Sequence, residues 1–183
     1  MPDEKYRAFL VDFLHADRVP HQNRHLYDHL CGTYDLLAAW GNPAHVCLAG
    51  LFHSIYGTKH FRRATLPFSQ RRQLRQLIGY DAEQLAYLFC VADRPNGLIG
   101  QWGRTDIVIH DRHQNDLVVL NRQELLWLLE IEAANLLDQK YVRDPCLVAL
   151  SRMPLTAKAR AAMVQATTGV ALERAPEIRQ IAG

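Results

Sequence analysis

Residues 43 to 53, PAHVCLAGLFH, carry Val46, Cys47, Ala49, Gly50, Leu51 and Phe52 with scarcely a polar position among them. A helix that is apolar on nearly every side has no face to offer water, so other elements must enclose it. The segment therefore predicts a central helix in a multi-helix core. His53, at its polar end, is where ionisable chemistry would meet that core.

The rest of the chain supplies the enclosing helices. Residues 3 to 17 place Tyr6, Phe9, Leu10, Phe13 and Leu14 at helical spacing, and Pro20 closes the segment. Residues 23 to 40 put Leu26, Leu30, Tyr34 and Leu37 on one stripe and stop at Gly41, with Pro43 opening the central helix. Ser69 precedes a short helix bearing Arg71, Arg72 and Arg75. Asp81 with Gln84 reads as a capping box for a helix running to Asp93, where the RPNG of residues 94 to 97 stops it. Residues 106 to 120 are two short β-branched runs around a polar turn, which predicts a hairpin. A second capping box, Asn121 with Glu124, opens a leucine-dense helix to about Lys140. Pro145 and Thr156 open two further helices, and the tail from Pro176 is expected to fray. The expected class is all-α, a helical bundle with a small β-hairpin insertion, with residues 1–183 as one domain.

Charge excludes some function classes. The 21 basic and 19 acidic residues leave a formal charge of only +2, and the basic residues are not interleaved with stacking aromatics, which argues against nucleic acid as a partner. The N-terminus alternates charged and apolar residues, and no apolar run reaches spanning length, so the expectation is a cytoplasmic protein with no membrane partner. Cys31, Cys47, Cys90 and Cys146 are isolated in helical apolar patterns, as buried reduced thiols are. The leucine-rich stretch 124 to 137 has enough apolar surface for a core or for a homodimer seam.

Three metal-capable side chains stand near helix ends. His29 lies beside the apolar stripe of its helix, His53 ends the central helix, and Asp93 ends another, one turn after Phe89 and Cys90. Converging, they would hold one divalent ion, Mn, Fe or Zn, with open positions for water. Lys59, His60, Arg62 and Arg63 follow His53 directly and would bring positive charge to the cleft rim, favouring a small anionic substrate. His60 and Tyr56 are the candidates for proton transfer, that is, the catalytic pair. His21, His25 and His29 recur every fourth residue, so an early helix start would align them and bring His25 toward the metal or a substrate phosphate. His110 and His113 flank the hairpin turn, where turn composition accounts for them. One of Glu130 and Glu132 is expected to face the site from the leucine-rich helix while the other stays exposed.

AGLFHS at residues 49 to 54 and CVADRPN at residues 90 to 96 resemble the HD-domain superfamily of metal-dependent phosphohydrolases, the second segment being most similar to the guanosine tetraphosphate hydrolase branch. LYDHL and GLFHSIYGT also look like an HD-related family without an established reaction. The resemblance covers roughly residues 23 to 97 and implies an HD-like bundle with ligands at His29, His53 and Asp93. It also implies Arg94 and Asn96 as substrate-binding residues. The chain departs from the family pattern at Ser54, where the doublet aspartate is expected, and at Tyr56-Gly57, where those hydrolases carry an acidic pair. A neutral hydroxyl is a poorer ligand than a carboxylate, which reduces the expected site to one metal. The implied function is hydrolysis of a phosphorylated or nucleotide-like molecule. The alternatives are a mononuclear non-haem iron oxygenase using the same three ligands, and a degenerate, non-catalytic binding module.

Overall fold

In the computed structural model, which describes residues 2–173, the apolar segment becomes α3 (Ala44–Leu51) and lies at the centre of the helical body. It packs against α2 (Leu26–Trp40), α5 (Tyr80–Val91) and α7 (Arg122–Asp138). Gly50 permits a close approach to α2, because a Cβ there would run into the Leu37 side chain and lie 3.5 Å from the Thr33 methyl group. Phe52 and Phe89 join Leu26, Leu30 and Leu51 among the fully buried side chains, each worth about 1.5–3 kcal/mol when taken out of water. Among the described residues no helix is long and apolar enough to cross a membrane.

Several helix ends follow the sequence reading. Gly41 closes α2 in the left-handed region at φ +84°, with Asn42 N–H bonded back to the Leu37 carbonyl at 3.1 Å, the wrap that this conformation permits. At the start of α7 the Asn121 side chain accepts from Glu124 N–H at 2.9 Å while Glu124 accepts from Asn121 N–H at 2.8 Å. The predicted hairpin is β3 (Ile107–Asp111) and β4 (Asp116–Leu120), antiparallel, with Ile107 and Ile109 turned inward and Leu117 and Val119 exposed. α8 (Pro145–Ser151) and α9 (Ala157–Glu173) complete the body, so the fold is mostly helical with a small hairpin insertion. The expected frayed tail from Pro176 lies outside the described residues.

Other expectations need correction. The first helix is short: α1 (Glu4–Ala8) passes into a π-helical turn, Phe9–Phe13, and His15 then takes a left-handed φ of 52°. α2 starts at Leu26, not near residue 23, because β1 (Pro20–His21) and β2 (Arg24–His25) pair antiparallel, with Pro20 opposite His25. Gly79, at φ +89°, precedes α5, and Asp81 makes no capping bond. Gln84 instead accepts from Arg71 of α4 (Arg71–Ile78) at 2.9 Å. α5 itself ends at Val91, two residues before Asp93, and Ala92 leaves in an extended conformation at ψ 152°. A single-turn helix, α6 (Asn96–Ile99), follows.

Both Glu130 and Glu132 are buried, contrary to the expectation that one is exposed, and they point to different tasks. Glu130 accepts from the Thr156 backbone N–H ahead of α9 and from Asn42 Nδ2 at 3.2 Å after α2, tying two helix ends to α7. Removing a buried acceptor strands its donors. Glu130→Ala should therefore destabilise the protein by about 2–4 kcal/mol in urea unfolding, and a loss under 1 kcal/mol would show that water replaces the carboxylate at that junction.

Candidate functional site

A cavity of about 470 Å³ opens among β1, the end of α2's inner face, the residues after α3 and the last turns of α7. His29 and His53 meet on its wall with their Nε2 atoms 3.1 Å apart, both side chains about 1% exposed. His29 reaches this point from the buried stripe of α2. His53 reaches it because α3 has already ended at Leu51 and the chain is turning.

The protons on these rings are fixed from behind. His53 Nδ1 lies 2.6 Å from the Gly50 carbonyl, which can only accept, so Nδ1 carries the hydrogen. His29 Nδ1 lies 2.5 Å from Asp138 Oδ2, and a carboxylate likewise only accepts. A neutral imidazole has one N–H. Both Nε2 atoms therefore present lone pairs, facing each other at hydrogen-bond distance. Two opposed lone pairs repel unless a cation, a proton or a metal ion, sits between them. Asp138 is itself buried, shared with Arg24, and backed by Gly32, where any Cβ would overlap the carboxylate.

Around the pair the cavity is polar, with Arg94 set against two carboxylates, Glu132 and Asp144. Arg94 donates from Nη1 to Glu132 Oε2 at 2.7 Å and from Nε to the Phe89 carbonyl at 3.2 Å, with its guanidinium over the Phe89 ring. Glu132 also accepts from Asn135 Nδ2 at 3.2 Å. Among the described residues Ser54 Oγ and His21 Nδ1 are buried without a hydrogen-bond partner, and both residues line the cavity. His21 stacks on His29 with ring centroids 4.2 Å apart and planes 6° apart. Stacked face to face with His29, the His21 ring directs its nitrogens along a separate, parallel plane, so His21 would not join His29 and His53 in holding a group. Burial, with His29 and Arg24 nearby, pushes the His21 imidazole down to about 4, and burial likewise holds His53 well below the usual histidine range.

Of the three expected metal ligands, then, two come together and one does not. Asp93 lies past the end of α5, its side chain more than half exposed, and takes a hydrogen bond from Lys59 Nζ at 2.7 Å. That bond holds its carboxyl below the usual range. The physical reason is the extended Ala92, which turns the chain outward before Asp93. Among the described residues no group of three His, Cys, Asp or Glu side chains is placed to hold a metal ion.

The other candidates divide in the same way. His60 lines the cavity with Nε2 3.1 Å from the Arg94 carbonyl. Tyr56 does not line it; its hydroxyl donates to the buried Glu83 at 2.9 Å, and burial with that carboxylate drives its pKa upward, so it is a poor proton donor. His25 is exposed at the N-terminus of α2, beside Asp28, and His21 takes the inward place because the β1–β2 turn intervenes. Lys59 and Arg62 line a neighbouring cavity, and Arg63 is exposed outside both. Arg94 lines the histidine cavity but its charge is engaged by Glu132, while Asn96 is exposed and accepts from Cys146 Sγ at 3.4 Å. His110 bonds Asn115, and His113 stacks on Phe68.

Asp138, Arg24 and His21 were not among the candidates. A signal for Asp138 exists, since it lies seven residues after the buried Ile131 and three after Asn135, on the stripe of α7 that also carries Glu132. Acidic and amide residues repeating along one side of a leucine-rich helix mark a polar seam within its apolar surface.

Comparison with known proteins adds one finding. Residues 10–94, under half of the chain, are similar to a family described as a domain of unknown function, DUF6817. The matched stretch includes His21, His29, His53 and Ser54 and stops short of α7, with Glu132 and Asp138. No curated protein and no solved structure matches the chain.

The buried neutral imidazoles set an acid limit. The unfolded chain takes up a proton at His21 near the ordinary histidine value and the folded chain only near 4, so stability is intact above about 6.5 and falls as pH drops toward 4. For His21 the loss should reach roughly 2–3 kcal/mol, with His53 adding to it in the same direction. Melting curves of chelator-treated protein should show this, and His21→Phe, which keeps a stacked ring and removes the titration, should flatten the slope between pH 6.5 and 4. An identical slope in the variant would contradict the burial argument.

Proposed function

We propose that the chain is an HD-like, metal-dependent hydrolase of a small phosphorylated molecule, with one divalent ion held by His29 and His53. The opposed Nε2 lone pairs carry this reading. They are the arrangement two imidazoles adopt around a shared cation, and each ring has the rear hydrogen bond that metal-ligating histidines use to fix tautomer and orientation. The Ser54 hydroxyl, buried in the same cavity wall with no hydrogen-bond partner among the described residues, fits a site that takes a polar group. When bound, such an ion lowers the pKa of a coordinated water and polarises a phosphoryl oxygen.

The chain's own residues supply the remaining tasks. Asp138 holds the His29 proton at Nδ1 and keeps the opposite nitrogen free. The Gly50 carbonyl does the same for His53. His60 donates from Nε2 to the Arg94 carbonyl, which leaves Nδ1 as the proton acceptor for an attacking water. Glu132 fixes the Arg94 guanidinium against the cavity wall, where it excludes bulk water more than it attracts charge. Asp93 lies apart from the histidines, so the ligand set that the oxygenase alternative shares with the hydrolase is reduced to two nitrogens for either reading.

Elemental analysis of protein purified without chelator or metal-affinity resin should find about one transition-metal ion per chain, absent from His53→Ala. Asp138→Asn should weaken metal affinity about 10–100-fold while leaving both imidazoles in place. The loaded protein should release phosphate from some member of a phosphoester panel. Absence of metal together with a melting temperature indifferent to added Mn²⁺, Fe²⁺ or Zn²⁺ would overturn the reading and favour a non-catalytic binding cavity.

A further inference from the structure

We propose that a second cavity, separate from the histidine site, binds a phosphate-class dianion through Lys59, Arg62 and Arg112. This cavity, about 370 Å³, lies between the chain after α3 and the β3–β4 turn and shares only Thr58 with the first. The proposal does not depend on whether His29 and His53 hold an ion.

Charge distinguishes the two cavities. The first sets Arg94 against Glu132 and Asp144, so it offers an anion no net attraction. The second is lined by three formal cations and by no carboxylate. Its walls include Phe68 stacked on His113 at 3.8 Å, and low-dielectric walls strengthen the field of the cations between them.

The cations are also positioned rather than merely numerous. Arg112 donates from Nε to the Val91 carbonyl at 2.9 Å and from Nη2 to the Cys90 carbonyl at 2.6 Å, which anchors it to the end of α5 and leaves Nη1 to face a ligand. Gly57, at φ +77°, folds the loop so tightly that a Cβ would stand 3.3 Å from the Arg62 carbonyl, bringing Lys59 and Arg62 to one rim. Among the described residues the Arg62 guanidinium has no hydrogen bond or ion pair, and Lys59 spends one of three donors on Asp93. Three cations lining one cavity, two of them guanidinium groups, match a dianionic tetrahedral oxyanion better than a monocarboxylate. The Cys90 thiol on the same wall donates to the His53 carbonyl at 3.0 Å and burial pushes it up to about 12, so the cavity binds and does not offer a nucleophile.

The test is a titration of inorganic phosphate into the full chain, chelator-treated, at low and constant ionic strength, read by the arginine Nε–H signals in ¹⁵N-resolved NMR. Saturable shifts at Arg62 and Arg112 are expected, weakened about tenfold by Arg62→Gln, the loss of one charge-assisted hydrogen bond. Lys59→Gln should weaken binding in the same direction, and His53→Ala should leave it unchanged. Shifts equalled by sodium chloride at the same ionic strength, binding indifferent to Arg62→Gln, or binding lost in His53→Ala would each overturn the proposal, the last by relocating the anion to the histidine pair.

Discussion

The contact on which the site depends is the one between Asp138, at the end of α7, and His29, in the first turns of α2. Burying a carboxylate costs several kcal/mol unless partners compensate it, and here Arg24 and the His29 N–H do so together. The arrangement reaches outward through the backbone. It requires Gly32 on α2, since any side chain there would occupy the space of the carboxylate, and it requires β2 to carry Arg24 to the same spot. One buried charge thus fixes the register of α2 against α7 and, through it, the direction in which His29 faces His53.

The helical bundle was legible where a single physical rule was sufficient. An all-apolar α3 had to be central, Gly41 had to end α2, and reciprocal capping at Asn121 and Glu124 had to begin α7. The site was less legible because it depends on where helices stop to within a residue or two. Had α5 continued to Asp93, its carboxylate would have stayed on the buried side with Phe89; ending at Val91 sends it to solvent and to Lys59. Had α2 begun near residue 23, His25 would have shared a row with His29. The Pro20–His25 pairing puts His21 inward instead. Asp138 was hidden for another reason: its partners lie more than a hundred residues earlier, and no local pattern encodes such a distance.

The two neighbouring cavities divide tasks that the sequence presents as one. Lys59, His60, Arg62 and Arg63 are nearly contiguous in the chain and read as a single cationic rim to the metal site. In three dimensions the tight turn from Thr58 to Phe61, closed by Thr58 N–H to the Phe61 carbonyl at 2.6 Å, splits them. His60 goes to the histidine cavity, Lys59 and Arg62 go to the other, and Arg63 to neither. Arg112, which no motif marks, completes the cationic set from the hairpin turn. In the proposed reading, attraction for an anion and the capacity to hold a cation would fall to adjoining spaces, one lined by Lys59, Arg62 and Arg112 and the other by the histidine pair.

Ser54 changes what kind of ion the proposed site would favour. A carboxylate at that position would add a hard oxygen donor and a negative charge in front of the imidazoles. With serine there, the carboxylate that touches the histidine pair is Asp138, which acts from behind His29 and would contribute charge through the ring rather than as a ligand. The donors presented to an ion are then two neutral nitrogens. Hard cations such as Mg²⁺ and Ca²⁺, which take oxygen ligands and give up water reluctantly, gain little from such a pair, whereas borderline first-row ions gain most, in the order Mn²⁺ below Fe²⁺ below the later metals. The serine thus weakens the site for every ion but weakens it least for those that imidazole binds well. Under the proposed reading, a metal requirement would be satisfied by zinc or iron and not by magnesium.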